Sequence, residues 1–216
     1  GEWGTRMTEL RVYLPIEDLQ PQFAAYMSTP TRARGYPPFA GEHSLIIEVA
    51  PALAIHRIVD LALKASPDME PGILFTERQY GLLELHSKDK DEVHETGKAI
   101  LDGIGAKEKD QLQPVTLYTD IIEDIADQHA IILDRMRNAS MILPGQSLLL
   151  YEMAPALFAA VAANEAEKAA PGATIVDIQM MGASGRIFMA GETDELRVAQ
   201  ARITKVLESI EGRSSQ

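Results

Sequence analysis

Few residues of this chain combine the type and the spacing that chemistry needs. The five histidines, His43, His56, His86, His94 and His129, include no pair spaced like a zinc-binding His-Glu-x-x-His helix. His86, Ser87 and Asp89 supply the residue types of a hydrolytic triad, but near-consecutive positions at a strand end need not converge, and they read as polar surface residues. The chain has no cysteine, hence no thiolate nucleophile, disulfide frame or zinc–thiolate site, which fits a reducing cytoplasm. Gly182-Ala183-Ser184-Gly185 lacks the lysine and spacing of a phosphate-binding loop and reads as a hairpin turn. The acid pairs Glu17-Asp18 and Glu123-Asp124 suit helical first turns, where negative charge is favoured. Glu77-Arg78 sets opposite charges side by side on an expected strand, so that they point to opposite faces. Taken alone, the pair reads as a surface ion pair worth about 0–1 kcal/mol. No catalytic residue, cofactor or metal is expected, and the chain is not expected to be an enzyme.

The elements that position these residues occur twice. Ala50-Pro51-Ala52-Leu53 returns as Ala154-Pro155-Ala156-Leu157, 104 positions on. At the same offset Glu48 meets Glu152, Ala62 meets Ala166, Lys64-Ala65 meets Lys168-Ala169, Pro67 meets Pro171 and Gly81 meets Gly185. Upstream, Ile16-Glu17-Asp18-Leu19 and Gln22 match Ile122-Glu123-Asp124-Ile125 and Gln128 at an offset of 106, and the segment Thr29 to Glu42 absorbs the difference. Its Pro30, Gly35, Pro37, Pro38 and Gly41 predict an irregular loop. A repeat at fixed spacing is the mark of a duplicated unit.

Within the first copy, Leu10 to Leu14 predicts a short strand and Ile16 to Met27 a helix whose regular part begins after Pro21. Ser44 to Val49 predicts a buried strand, and Pro51 the first turn of a helix reaching Lys64. Ile73 to Gln79 and Leu82 to Leu85 predict a hairpin about Tyr80-Gly81, followed by a helix from Asp89 to Ile104. The second copy predicts strands near Ser147 to Tyr151, Thr174 to Met180 and Arg186 to Met189. The expected fold is α+β: two small mixed or antiparallel sheets, each with two helices on one side. The boundaries expected are residues 7–106 and 115–212 for the two domains, a charged linker at 107–114 and a tail at 213–216. Gly1 to Arg6 ahead of Met7 reads as a tag remnant.

Composition narrows the function classes. The apolar fraction of 46% and charged fraction of 24% are ordinary for a globular protein with a real core. A net charge of −12, with the 20 basic residues interleaved among acids, argues against nucleic acid and anionic membranes as partners. No apolar run reaches the roughly 20 residues of a membrane span.

Arg11-Val12-Tyr13, Asp18-Leu19-Gln20-Pro21-Gln22, Ala25-Tyr26-Met27, Arg34-Gly35-Tyr36-Pro37-Pro38 and Glu48-Val49-Ala50-Pro51 come in that order. Thr76-Glu77-Arg78-Gln79-Tyr80-Gly81, Leu83-Glu84-Leu85-His86 and Gly182-Ala183-Ser184-Gly185-Arg186-Ile187-Phe188 continue the series. Together they resemble the tandem-domain shell proteins of bacterial microcompartments, in the circularly permuted class of gated carboxysome shell trimers, from Leu10 to Ile210. In the unpermuted domain the apolar strand before the Lys-Ala helix opens the unit, whereas here a strand and helix precede it in each copy.

The resemblance implies a homotrimer with the outline of a hexamer, because two fused domains do the work of two subunits and a three-fold rotation closes the ring. It implies a tile in the microcompartment shell of a bacterial cytoplasm, flanked by other shell proteins, with face-to-face stacking of trimers open to it and an axial pore for small polar metabolites. It places Glu77 and Arg78 at the axis as a gate, where backbone rotation would exchange an acidic for a basic ring. Met181 and Gly182 take those positions in the second copy. Gly182 fits either a moving loop or a tight turn. Lys64 and Lys168 match the tile-edge lysine, with a solvated lysine at a helix C-terminus as the other reading. An alternative function is a soluble duplicated α+β module that binds a small regulatory ligand and never tiles.

Overall fold

The computed structural model describes residues 8–28, 36–135 and 142–215; the Gly1 to Arg6 stretch, Arg34-Gly35 and the first half of the expected Thr29 to Glu42 loop lie outside them. Contacts divide the chain into two compact units, Gly1–Gln113 with Glu211–Gln216, and Pro114–Ile210.

The first unit runs β1 (Glu9–Ile16), α1 (Pro21–Met27), β2 (His43–Ala50), a 3₁₀ turn (Ala52–Ala54), α2 (Ile55–Ala65), β3 (Glu70–Glu77), β4 (Tyr80–Ser87) and α3 (Lys90–Ile104). The second runs β5 (Val115–Ile122), α4 (Asp127–Arg135), β6 (Ser147–Ala154), α5 (Phe158–Ala169), β7 (Thr174–Gln179), β8 (Gly185–Gly191) and α6 (Thr193–Ser209). Each unit holds one four-stranded sheet, ordered β1-β2-β4-β3 and β5-β6-β8-β7, and every pairing is antiparallel.

The middle strands β2 and β4 of the first sheet are buried on both faces over most of their length. In the first unit Leu45, Ile47, Val49, Leu83 and Leu85 pack on one face with Ile55, Ile58 and Ala62 of α2 and Val93, Ile100 and Ile104 of α3. Each Val, Leu or Ile among them taken from water contributes about 1.5–3 kcal/mol. In the second unit the other face has its own cluster, Leu148, Val176 and Ala190 from the sheet with Ile125, Ala130 and Ile142. The two longer helices of the first unit thus share one side of its sheet, as expected, and in the second unit the short α4 adds a layer on the other face. Glu17-Asp18 and Glu123-Asp124 sit not in helical first turns but between strand and helix, where Asp18 (φ 54) and Asp124 (φ 49) take the left-handed backbone that aspartate tolerates.

The segment after α3 is fastened to the first unit. Tyr13 N donates to the buried Gln111 Oε1 at 2.8 Å. Gln113 N donates to Arg213 O, and Arg213 reaches Glu9 at 2.6 Å.

One close approach sets the geometry of both hairpins. A Cβ added at Gly81 would overlap Ala52 O and lie 2.6 Å from Ile55 Cβ; one added at Gly185 would overlap Ala156 O and lie 2.9 Å from Ala159 Cβ. The strand can press against the helix start only without a side chain. Gly81→Ala or Gly185→Ala should each lower stability by about 1–3 kcal/mol, read as a drop in denaturation midpoint, and an unchanged midpoint would contradict the packing described.

Candidate functional site

The β3–β4 hairpin turns at Arg78-Gln79, because Glu77 pairs with Tyr80 and Thr76 with Gly81. This corrects the expected turn at Tyr80-Gly81. Gly81 reads in sequence as a turn glycine, but it is a strand residue that lacks a side chain for want of room. Arg78 is exposed and left-handed (φ 51), a conformation that costs a non-glycine residue about 1–3 kcal/mol. It is a turn residue, so the strand alternation that set Glu77 and Arg78 on opposite faces does not govern it.

The equivalent loop of the second unit joins Gln179 to Gly185. Gly182, at the position of Arg78, also has positive φ (110), with open space around it. Glycine therefore meets there, without strain, a backbone requirement that arginine meets at a cost. Met181 beside it is exposed. The base of this loop is tied to Glu152, which accepts from Ser184 Oγ and Arg186 Nε, each at 2.7 Å. Those hydrogen bonds hold the Glu152 carboxyl below the usual carboxylate range.

The two lysines are placed differently. Lys64, in the last turn of α2, has a side chain 75% exposed and meets Asp60 at 2.8 Å. Lys168, in the last turn of α5, is 29% exposed and meets Glu165 at 3.1 Å, which also binds Arg202 at 2.8 Å. Lys64 is thus the more extended into solvent.

His86, expected at the surface, is buried. Its Nδ1 lies 2.8 Å from Glu84 Oε1, and Glu84 also accepts from Ser44 Oγ; both carboxylate and imidazole are fully enclosed. Around them stand Glu42, whose Oε1 accepts from Phe39 N, and Glu70, 3.5 Å from His86 Nε2. Gly72 makes the space: a Cβ there would overlap Glu84 Oε1. Alternation in Leu82-Leu83-Glu84-Leu85-His86 reads as one solvated face, which is how the sequence hides the cluster. The signal that reveals it is the second copy, where Leu148, Val176, Phe188 and Ala190 occupy the positions of Ser44, Gly72, Glu84 and His86. A face that is apolar in one copy and ionisable in the other is enclosed in both.

The remaining histidines do not gather. His43 Nδ1 accepts from Asp18 N at 2.9 Å and His94 meets Glu17 at 2.7 Å. Among the described residues no three histidine or acidic side chains are grouped to hold a metal, and no helix is long and apolar enough to cross a membrane.

A family model described as the CsoS1D N-terminal domain matches residues 10–110. The carboxysome shell protein CsoS1D of Hydrogenovibrio crunogenus is 42% identical over 209 residues, covering 96% of this chain and all of that protein. Among solved structures, the double ringed trimeric shell protein MSM0271 from the RMM microcompartment is 62% identical with a TM-score of 0.91, over 96% of this chain and 100% of that one. The fused permuted hexameric shell protein MSM0275 from the RMM microcompartment is 40% identical with a TM-score of 0.89, over 95% and 99%.

The buried cluster has a pH signature. Burial drives the Glu84 pKa up, outweighing its hydrogen bonds from His86 and Ser44. For His86 burial acts downward, but the hydrogen bond and charge of Glu84, with Glu42 and Glu70, win and raise it. Both shifts mean that the folded chain holds protons more tightly than the unfolded chain, so this stability is present at low pH and is lost as pH rises through the raised values. The denaturation midpoint of wild type should fall as pH rises above 4.5, the ordinary glutamate value, and further above 6.5, the ordinary histidine value. Glu84→Gln should destabilise by about 1–3 kcal/mol and flatten that slope; an equal slope in the variant would show that the cluster does not titrate.

Proposed function

The chain belongs to the family of permuted tandem-domain microcompartment shell proteins that includes CsoS1D, and from that membership we propose that three copies close into a pseudohexameric tile with a gated axis. It is a structural shell protein rather than an enzyme, of the trimeric kind, placed in the microcompartment shell of a bacterial cytoplasm. The proposal concerns its working parts. A three-fold ring of duplicated units presents six hairpin turns to the axis, three carrying Arg78 and three carrying Met181-Gly182. The observation that carries this reading is the pair of turns itself: the same position in both units, positive φ in each, one charged and strained, the other free of side chain.

Three arginines around a narrow axis repel one another and attract anions. Pairing Arg78 with Glu77 of the next subunit neutralises that ring and narrows it; turning Arg78 inward opens a basic passage for small polar metabolites. The Gly182 turns supply slack without adding charge, so one copy gates and the other yields. Lys64 and Lys168 take the tile edge, where a long aliphatic stem lies against a neighbouring tile and the ammonium seeks carbonyl oxygens. Lys64 is the stronger of the two, because it reaches further into solvent although each lysine also meets an acid of its own helix. Other shell proteins of the same compartment are its lateral partners. Stacking of two trimers is supported by the double ringed relative.

Two measurements test these assignments. Purified wild type at high concentration should have the mass of three chains or of six and form hexagonally packed sheets by electron microscopy. Lys64→Ala/Lys168→Ala should keep the mass and lose the sheets. A discrete oligomer that never tiles would favour the small-ligand module. The absence of cysteine allows a clean second test, since Arg78→Cys introduces the sole thiol. A short bismaleimide should then join neighbouring subunits at the axis, and purely monomeric chains after treatment would remove Arg78 from it.

A further inference from the structure

The Arg78 turn is gripped by a residue that the sequence places far away. In β1, Leu10 pairs with Val49 and Val12 with Glu48, leaving Arg11 as the extra residue of a bulge. A bulge bends the strand and re-aims the side chain it carries. The Arg11 guanidinium carbon stands 3.7 Å from the centroid of the Tyr80 ring, and its Nε donates to Glu48 Oε2 at 3.1 Å. Both side chains of that ion pair are largely enclosed, 17% and 14% exposed, so water screens them less than a surface pair. The bulge is held from behind as well, because Arg11 O accepts from Leu112 N at 2.9 Å. Tyr80 is the first residue of β4 and closes the turn by pairing with Glu77.

The second unit keeps the bulge and discards the grip. The extra residue of β5 falls between Thr116 and Tyr118; it is Leu117, half exposed to solvent. Ser184 stands where Tyr80 does, and it binds Glu152 directly. The glutamate of the central strand is common to both copies, Glu48 and Glu152. In the second unit it ties the loop by its own hydrogen bonds. In the first it holds an arginine, and the arginine holds the turn through an aromatic face.

We propose that Arg11 is the positioning residue of the Arg78 turn: stacked on Tyr80 and steadied by Glu48, it keeps the strained left-handed turn in place, and its withdrawal frees the turn without unpairing the sheet. What the freed turn does at an axis rests on the gate reading above, whereas the grip itself lies within one unit and is testable apart from it. The arrangement assigns the two copies different work: a releasable charged turn in the first, and a loop fixed at its base and slack at its tip in the second.

Hydrogen exchange read by mass spectrometry on the assembled protein tests this. In Arg11→Ala the amides of Arg78 to Tyr80 should exchange on the order of five- to tenfold faster, while those of residues 12–16 and 44–48, which pair β1 with β2, stay unchanged. Tyr80→Leu should reproduce the effect, and the double variant should add little to either, as expected of residues acting through one contact. Arg11→Lys keeps the charge beside Glu48 but loses the flat face, and should fall between. Leu117→Ala should leave the loop 180–184 as it was. Unchanged exchange at the turn in both Arg11→Ala and Tyr80→Leu, or an acceleration shared equally with the β1–β2 pairing, would overturn the proposal. Oligomer mass measured on the same samples separates the two claims: a protein that never forms rings defeats the gate while the exchange pattern still judges the grip.

Discussion

Everything specific about the two hairpins follows from the absence of a side chain at Gly81 and Gly185. Each glycine lets a central strand lie directly against the backbone at the start of an earlier helix, α2 or α5, and that contact locks the register of the strand. With the register fixed, the turn before it has no freedom of place, and its backbone must go through positive φ at one position. That position is Arg78 in the first unit and Gly182 in the second. A packing demand in the core thereby decides which residue stands exposed at the tip, and an arginine is kept where glycine would be easier.

Duplication makes the divergence of the copies readable as chemistry. Leu148, Val176, Phe188 and Ala190 show that the second face of the sheet can be filled with apolar side chains. The first unit instead encloses Ser44, Glu84 and His86, with Gly72 giving them room. Removing one partner of such a cluster leaves a buried polar group unmet, so its members stand or fall together. The glutamates Glu48 and Glu152 follow the same logic on a smaller scale. The fold supplies each with a place beside a hairpin, and the neighbouring residues determine whether it holds a loop directly or through an arginine.

Much of this is legible in the amino-acid sequence. The recurrence of Ala-Pro-Ala-Leu and its flanking residues reveals the duplication, and strand and helix order follow from apolar spacing. The expectation of a trimeric shell tile is matched by the family relationship. The turn lies two residues earlier than its sequence suggests, because a glycine after a tyrosine has the look of a bend, and only a contact through space shows that it is a strand position. His86 looks solvated in sequence, as alternating polar residues do whenever the covering layer is unseen. Arg11 is invisible there as a partner of Tyr80, since 69 residues of sequence and a bulge separate them. These differences share one source: they concern which face is covered, and local periodicity carries no information about cover.

The central claim is that the turns of Arg78 and Gly182 meet at a three-fold axis and differ there in charge and tether. An electron cryo-microscopy map of the assembled ring, at a resolution that shows side chains, tests it most directly. The account predicts Arg78 and Gly182 alternating around the axis, with Tyr80 and Arg11 stacked immediately behind each Arg78. A map in which those turns lie at the rim, or in which the axis is lined by other segments, would contradict it.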